Sequence, residues 1–127
     1  MPRLFHVSDL HFGRPAVPAQ IEAIEALIQS AKFDVVAISG DLSQRARSGE
    51  FQRAHKFIRE ADEVSRTIVV PGNHDVQWWK APLGIGRRRA PFASYQTYVS
   101  AELEPVLRVP GVTIVGLNTS QGVTRRT

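Results

Sequence analysis

Asp9, His11, Asp41, Asn73 and His74 offer oxygen and nitrogen atoms to a cation, and each stands just past a short apolar run. Leu4-Phe5-His6-Val7 leads into Ser8-Asp9-Leu10-His11. Val35-Val36-Ala37-Ile38 leads into Ser39-Gly40-Asp41, and Thr67-Ile68-Val69-Val70 into Pro71-Gly72-Asn73-His74-Asp75. Hard oxygens mixed with imidazoles suit Mn, Fe or Zn. In extended backbone, residues two apart point the same way, so Asp9 and His11 can reach one ion. Taken singly these residues are ordinary. Asp-x-His is a common loop pattern, and Asp or Asn beside glycine is a routine turn former. The weight lies in the repetition: three polar loops, each at the end of a separate apolar run.

Such loops converge only if the runs are parallel neighbours in one sheet, where ligands bind at the rim beyond the carboxyl ends of the strands. The β-branched run Thr67 to Val70 reads as a buried parallel strand, ended by Pro71 and Gly72. A helix is expected over Ala19 to Lys32, with Ile21, Ile24, Ile28 and Ala31 at helical spacing and Leu27 beside them. A second is expected over Gly49 to Asp62, with Ser48 as its N-cap and Phe51, Ala54, Phe57, Ile58 and Ala61 on its apolar face. Strand, helix, strand, helix, strand is the pattern of right-handed βαβ units, hence an α/β fold on a mostly parallel sheet. Beyond Asp75, Val76 to Pro91 reads as a long loop containing Trp78-Trp79. Phe92, Tyr95, Val99 and Leu103 suggest a short helix, Val112 to Leu117 a fourth strand, and Asn118 to Thr127 no element of its own.

With 127 residues and 43% apolar content, the chain suits one globular domain. No run approaches the roughly 20 apolar residues of a membrane span. The first strand begins almost at once, with no signal-peptide core, so a cytoplasmic location is expected. The absence of cysteine excludes disulfides and thiolate metal sites. The net charge of +4 is uneven: residues 1–75 carry 9 basic and 10 acidic side chains, residues 76–127 carry 7 and 2. A basic second part beside a metal rim suits an anionic substrate. Arg87, Arg88 and Arg89 can clamp a phosphate, or form a solvated surface run. Trp78-Trp79 offers an apolar wall for a nucleoside or lipid moiety, or ordinary packing. His6 lies inside the first strand and reads as a buried or hydrogen-bonded core histidine. His55 reads as a surface residue of the second helix.

With Asp9-Leu10-His11, Gly40-Asp41 and Gly72-Asn73-His74-Asp75 in order, the sequence resembles the calcineurin-like metallophosphoesterase superfamily. Its signature is D-x-H, G-D, G-N-H-[D/E], a lone His and G-H-x-H. The resemblance implies the amino-terminal half of a four-layer αββα sandwich and two divalent metal ions, Mn, Fe or Zn, in the complete domain. It implies that Asp9 and His11 bind the first ion, that Asp41 bridges both, and that Asn73 binds the second through its amide oxygen. It makes His74 a substrate-binding proton donor, not a ligand, and Asp75 the group that orients it. The implied reaction is hydrolysis of a phosphate ester, with a phosphodiester expected, by a metal-bridging hydroxide. The short loops and Ser8-Asp9-Leu10-His11 resemble bacterial class III cyclic-nucleotide phosphodiesterases and relatives of DNA-repair nucleases. No histidine follows His74, so the lone His and G-H-x-H are missing. The expectation is therefore a truncated domain over residues 1–127 with at most one weak metal site, and self-association through an uncovered sheet face. The alternative is an inactive module that binds an anionic or nucleic-acid partner.

Overall fold

Strands β1 (Leu4–Val7), β2 (Val35–Ser39) and β3 (Arg66–Val70) form a parallel sheet in the order β1-β2-β3. The structure, a computed structural model, describes residues 1–14, 16–77 and 91–120. The expectations for Trp78-Trp79 and for Arg87, Arg88 and Arg89 lie outside the described residues. Leu4, Val35 and Arg66 share one rung of the sheet, and the pairing runs without slip to Ser39 and Val70. All three strands therefore end at nearly the same height, which puts their following loops on one rim.

Helices α1 (Pro18–Ala31) and α2 (Ser48–Asp62) make the two crossovers. Strand order follows chain order, and right-handed crossovers made in the same direction place both helices on one face. That face holds the core: Val36, Ile38 and Val69 from the sheet, Ile28 from α1, and Phe51, Ala54, Phe57 and Ala61 from α2. Ile21, Ile24 and Ile58 pack at its margin, while Leu27 is left 44% exposed. Pro18 starts α1, where its missing N–H costs nothing. Lys32 ends the helix in the left-handed region at φ 48°, its N–H donating to the Ile28 carbonyl.

Ser48 is not the N-cap of α2; that position is Arg47, and Ser48 is already helical. The Glu50 carboxylate does the capping, accepting the backbone N–H groups of Arg45 (2.9 Å) and Arg47 (3.2 Å). An anionic acceptor in the first turn also complements the helix dipole. A serine hydroxyl one residue further on offers neither.

Helix α3 (Ala93–Tyr98) packs on α2 through Tyr95, whose ring meets Phe51 edge-on at 6.2 Å. Tyr95 is fully buried, and its hydroxyl has no hydrogen-bond partner among the described residues. Burial, and then the negative charge of Asp75, push the phenol above its ordinary value of 10.0. Tyr95→Phe removes an unsatisfied buried hydroxyl and should raise stability by about 1 kcal/mol in denaturant unfolding. The sign of its pH dependence follows from the raised pKa. The phenol's contribution is intact below pH 10 and is lost as pH rises through the higher folded value. Wild type should therefore lose stability above pH 10 more steeply than Tyr95→Phe; matching alkaline curves would put the titrating group elsewhere.

The expected fourth strand is half of a hairpin. Strand β4 (Val106–Val109) pairs antiparallel with β5 (Val112–Val115), which stops short of Leu117. Part of the signal for β4 was present: Val106-Leu107 and Val109 are strand formers, and Pro110-Gly111 before the next run marks a tight turn. Gly111 takes φ 88° there. The hairpin approaches the sheet on the side away from the helices: a Cβ added at Gly116 would fall 2.5 Å from Val70 Cγ1. On that side Val35 and Ile68 are buried, and the half-buried residues of the hairpin alternate with exposed ones. Its outer residues Val106 and Val115 remain 48% and 58% exposed. One helical layer and two sheets are thus described, in the order the fold class requires. Among the described residues no helix is long and apolar enough to cross a membrane.

Candidate metal centre

The three loops beyond β1, β2 and β3 are stitched to each other before any side chain is considered. Asp9 N–H donates to Gly40 O (3.2 Å), His11 N–H to Asp41 O (2.9 Å), and Gly40 N–H to Val70 O (3.0 Å). Asp9, His11 and Asp41 all have positive φ, at 58°, 45° and 52°. That region costs an L-residue roughly 1–2 kcal/mol, and Asp, Asn and His tolerate it best among non-glycine types. The backbone of the rim therefore selects the same residue types that its chemistry needs. Two glycines let the loops touch. A Cβ at Gly40 would lie 2.9 Å from Gly72 Cα, and one at Gly72 would lie 2.1 Å from Asp41 Oδ1.

The side chains then converge. Nε2 of His11 is 3.6 Å from Asp9 Oδ1 and 3.9 Å from Asp41 Oδ2. Donors about 2.1 Å from one ion stand roughly 3 to 4 Å from each other. Ligand atoms of His11, Asp41 and His74 all lie within 4.8 Å of one another. The rings of His11 and His74 meet edge-on at 4.9 Å. His74 is placed by Asp41 and Gln44: its N–H donates to Asp41 Oδ1 (3.0 Å), and its Nδ1 bonds the Gln44 carbonyl (2.9 Å). That bond fixes the proton on Nδ1 and leaves Nε2 for chemistry. His11 has no such support among the described residues, where its Nδ1 is buried without a partner. Its other nitrogen faces two carboxylates. The donor set fits a divalent cation.

Asn73, His74 and Asp75 form one 3₁₀ turn, and they separate by burial. Asn73 is exposed and lines a cleft with Asp9 and Asp41. Asp75 is fully buried. Its expected role, orienting His74, is not the one its contacts show. Oδ1 accepts Ser43 N–H and Ser43 Oγ–H, both at 2.8 Å, while Oδ2 accepts Gly72 N–H (2.8 Å) and Leu42 N–H (3.2 Å). The carboxylate therefore ties the loop after β2 to the loop after β3, and the imidazole is held by a main-chain carbonyl instead. Burial pushes the Asp75 carboxyl above the ordinary range, against the opposite pull of hydrogen bonds from Gly72, Ser43 and Leu42.

Several participants carried no sequence signal of their own. Gln44 acts through its backbone, which any residue could supply. Ser43 is fully buried and also bonds the His74 carbonyl (3.2 Å) and Ala46 N–H (3.1 Å). His6 is exposed rather than buried, with Nε2 bonded to Ser39 Oγ at 2.6 Å. His55 is exposed on α2 as expected. The cleft, of about 450 Å³, is lined by Asp9, Asp41 and Asn73 of the rim and by Leu117, Thr119 and Ser120 from the segment after β5. That segment did have a signal: Asn118-Thr119-Ser120 is one more polar triplet after an apolar strand.

A family model described as calcineurin-like phosphoesterase matches residues 2–120, nearly the whole chain. No curated protein matches the chain significantly.

Proposed function

Because the chain belongs to the calcineurin-like phosphoesterase family, a family of divalent-metal phosphoesterases, we propose that its substrate is a phosphodiester, hydrolysed at this rim. The observation that carries the reading is the approach of His11 Nε2 to both Asp9 and Asp41, with His74 beside them. Asp9, His11 and Asp41 would hold a metal ion, and Asn73 lines the same cleft. When bound, a divalent ion polarises phosphoryl oxygens and acidifies water. The chain's own part is positioning. Asp41 would hold the ion and also fixes the backbone of His74, accepting its N–H. His74, with Nδ1–H donated to Gln44, carries a proton on Nε2 for the departing oxygen when the ring is charged. The cleft beside the rim, about 450 Å³, has room for a phosphate bearing more than one ester group. The likeness of Ser8-Asp9-Leu10-His11 to class III cyclic-nucleotide phosphodiesterases points the same way. Arg87, Arg88 and Arg89 enter this proposal as anion-binding side chains on their charge alone.

The test is a calorimetric Mn²⁺ titration followed by assay of an aryl phosphodiester and the matching monoester, with and without the metal. Wild type should bind Mn²⁺ and turn over the diester faster, only with metal present. His74→Ala should keep its Mn²⁺ affinity and lose about 100-fold in turnover. Hydrolysis that survives chelation, or no bound metal, would overturn the reading.

A further inference from the structure

The part of the cleft lining that follows β5 is built, not incidental. Ser120 N–H donates to Asn118 Oδ1 (3.0 Å), Asn118 N–H to Glu104 Oε1 (3.1 Å), and Ser120 Oγ–H to Pro71 O (3.2 Å). Gly116 is held by Pro105 O (2.8 Å) and packs on Val70. The segment is thus pinned to the hairpin at one end and to the loop after β3 at the other. Between the pins, two side chains are left free toward the cleft. Leu117 is 66% exposed, the most exposed large apolar residue apart from Met1 among those described. Thr119 is exposed, and no hydrogen bond among the described residues holds its hydroxyl.

We infer that Leu117 and Thr119 form the substrate-recognising wall of the cleft and select a phosphoester that carries an aromatic group. This rests on the proposed reading of the rim as the phosphoester site. A hydroxyl lining the same cleft as Asp9 and Asp41 can donate to a phosphoryl oxygen, which those carboxylates cannot do. The apolar contact offered by Leu117 is short, because the rest of the lining is mainly polar or backbone, with Val70 and Pro71 the exceptions. One flat ring fits such a contact; a long acyl chain would run on over polar surface.

Phenylphosphonate and methylphosphonate, which cannot be hydrolysed, test this by calorimetry on the Zn²⁺-loaded chain. Wild type should bind the phenyl compound about 10-fold more tightly. Leu117→Ser should erase that preference and leave methylphosphonate affinity unchanged. Thr119→Val should weaken both by about 5-fold. Both residues are exposed, so the variants should keep the wild-type circular dichroism spectrum. Equal affinity of wild type for the two phosphonates, or a preference that survives Leu117→Ser, overturns the wall while the rim stands. Unchanged binding by Thr119→Val removes the hydroxyl's role. If wild type binds neither phosphonate, the rim falls as a phosphoester site and the wall with it.

Discussion

Asp41→Asn is expected to cost at least about 100-fold in Mn²⁺ affinity, while the unfolding midpoint stays near wild type. Disturbing a group that only supports a ligand typically costs 10- to 100-fold, so loss of a ligand's charge should exceed that. Asp41 faces His11 Nε2 through Oδ2 and accepts His74 N–H through Oδ1. An asparagine keeps the second function with its amide oxygen and tolerates the φ of 52°. The substitution therefore separates charge from architecture. Asp9→Asn should cost less, because the Asp9 side chain is 63% exposed against 15% for Asp41. A titration of Asp41→Asn that overlays wild type would remove the rim as the metal centre.

Asp75→Ala should destabilise the fold by roughly 4 kcal/mol, read from denaturant unfolding at constant slope. Three backbone N–H groups and the Ser43 hydroxyl donate to this one carboxylate. Alanine leaves the three N–H groups unsatisfied in a place that water reaches poorly, and each costs about 1–3 kcal/mol, less than additively. A domain with a total stability of about 5–15 kcal/mol has little room for that. Asp75→Asn should fall between, since its amide presents one oxygen and one NH₂ to four donors. The loss should register as a global change in stability rather than a local change at His74, whose ring is held by Gln44. A penalty below about 1 kcal/mol would mean that the two loops hold together without the carboxylate.

The parts of the molecule legible in the sequence are those where one physical signal dominates. Val35 to Ile38 and Thr67 to Val70 could hardly be anything but buried parallel strands, and β2 and β3 follow them to within a residue. The convergence of Asp9, His11 and Asp41 was legible for a related reason: all three are residue types permitted at positive φ. The role of Asp75 was not legible, because its partners are main-chain N–H groups of Leu42, Ser43 and Gly72, and these look alike in every sequence. The Gln44 carbonyl is hidden for the same reason. Ser48 misled because a serine before an apolar helix face is a good cap in isolation, and only the fold shows Glu50 reaching back to do that work. The hairpin was half-read, since Val112 to Val115 is strongly β-branched while Val106 to Val109 is interrupted by Leu107 and Arg108.

Asp9, Asp41 and Asn73 are evenly spaced along the chain, with one helix and one strand between each and the next. No loop of the rim has its neighbouring loop nearby in sequence. Each meeting must wait until a long stretch of chain has closed on itself, and the entropy of that closure is spent before any contact repays it. Helices α1 and α2 draw on local contacts and can form early; the rim belongs to the end of folding. An ion held by Asp9, His11 and Asp41 together would meet only the finished molecule, so it would not template the chain's collapse. Its influence would fall on the way out, as a latch that lengthens the lifetime of the native state and leaves the time taken to reach it unchanged.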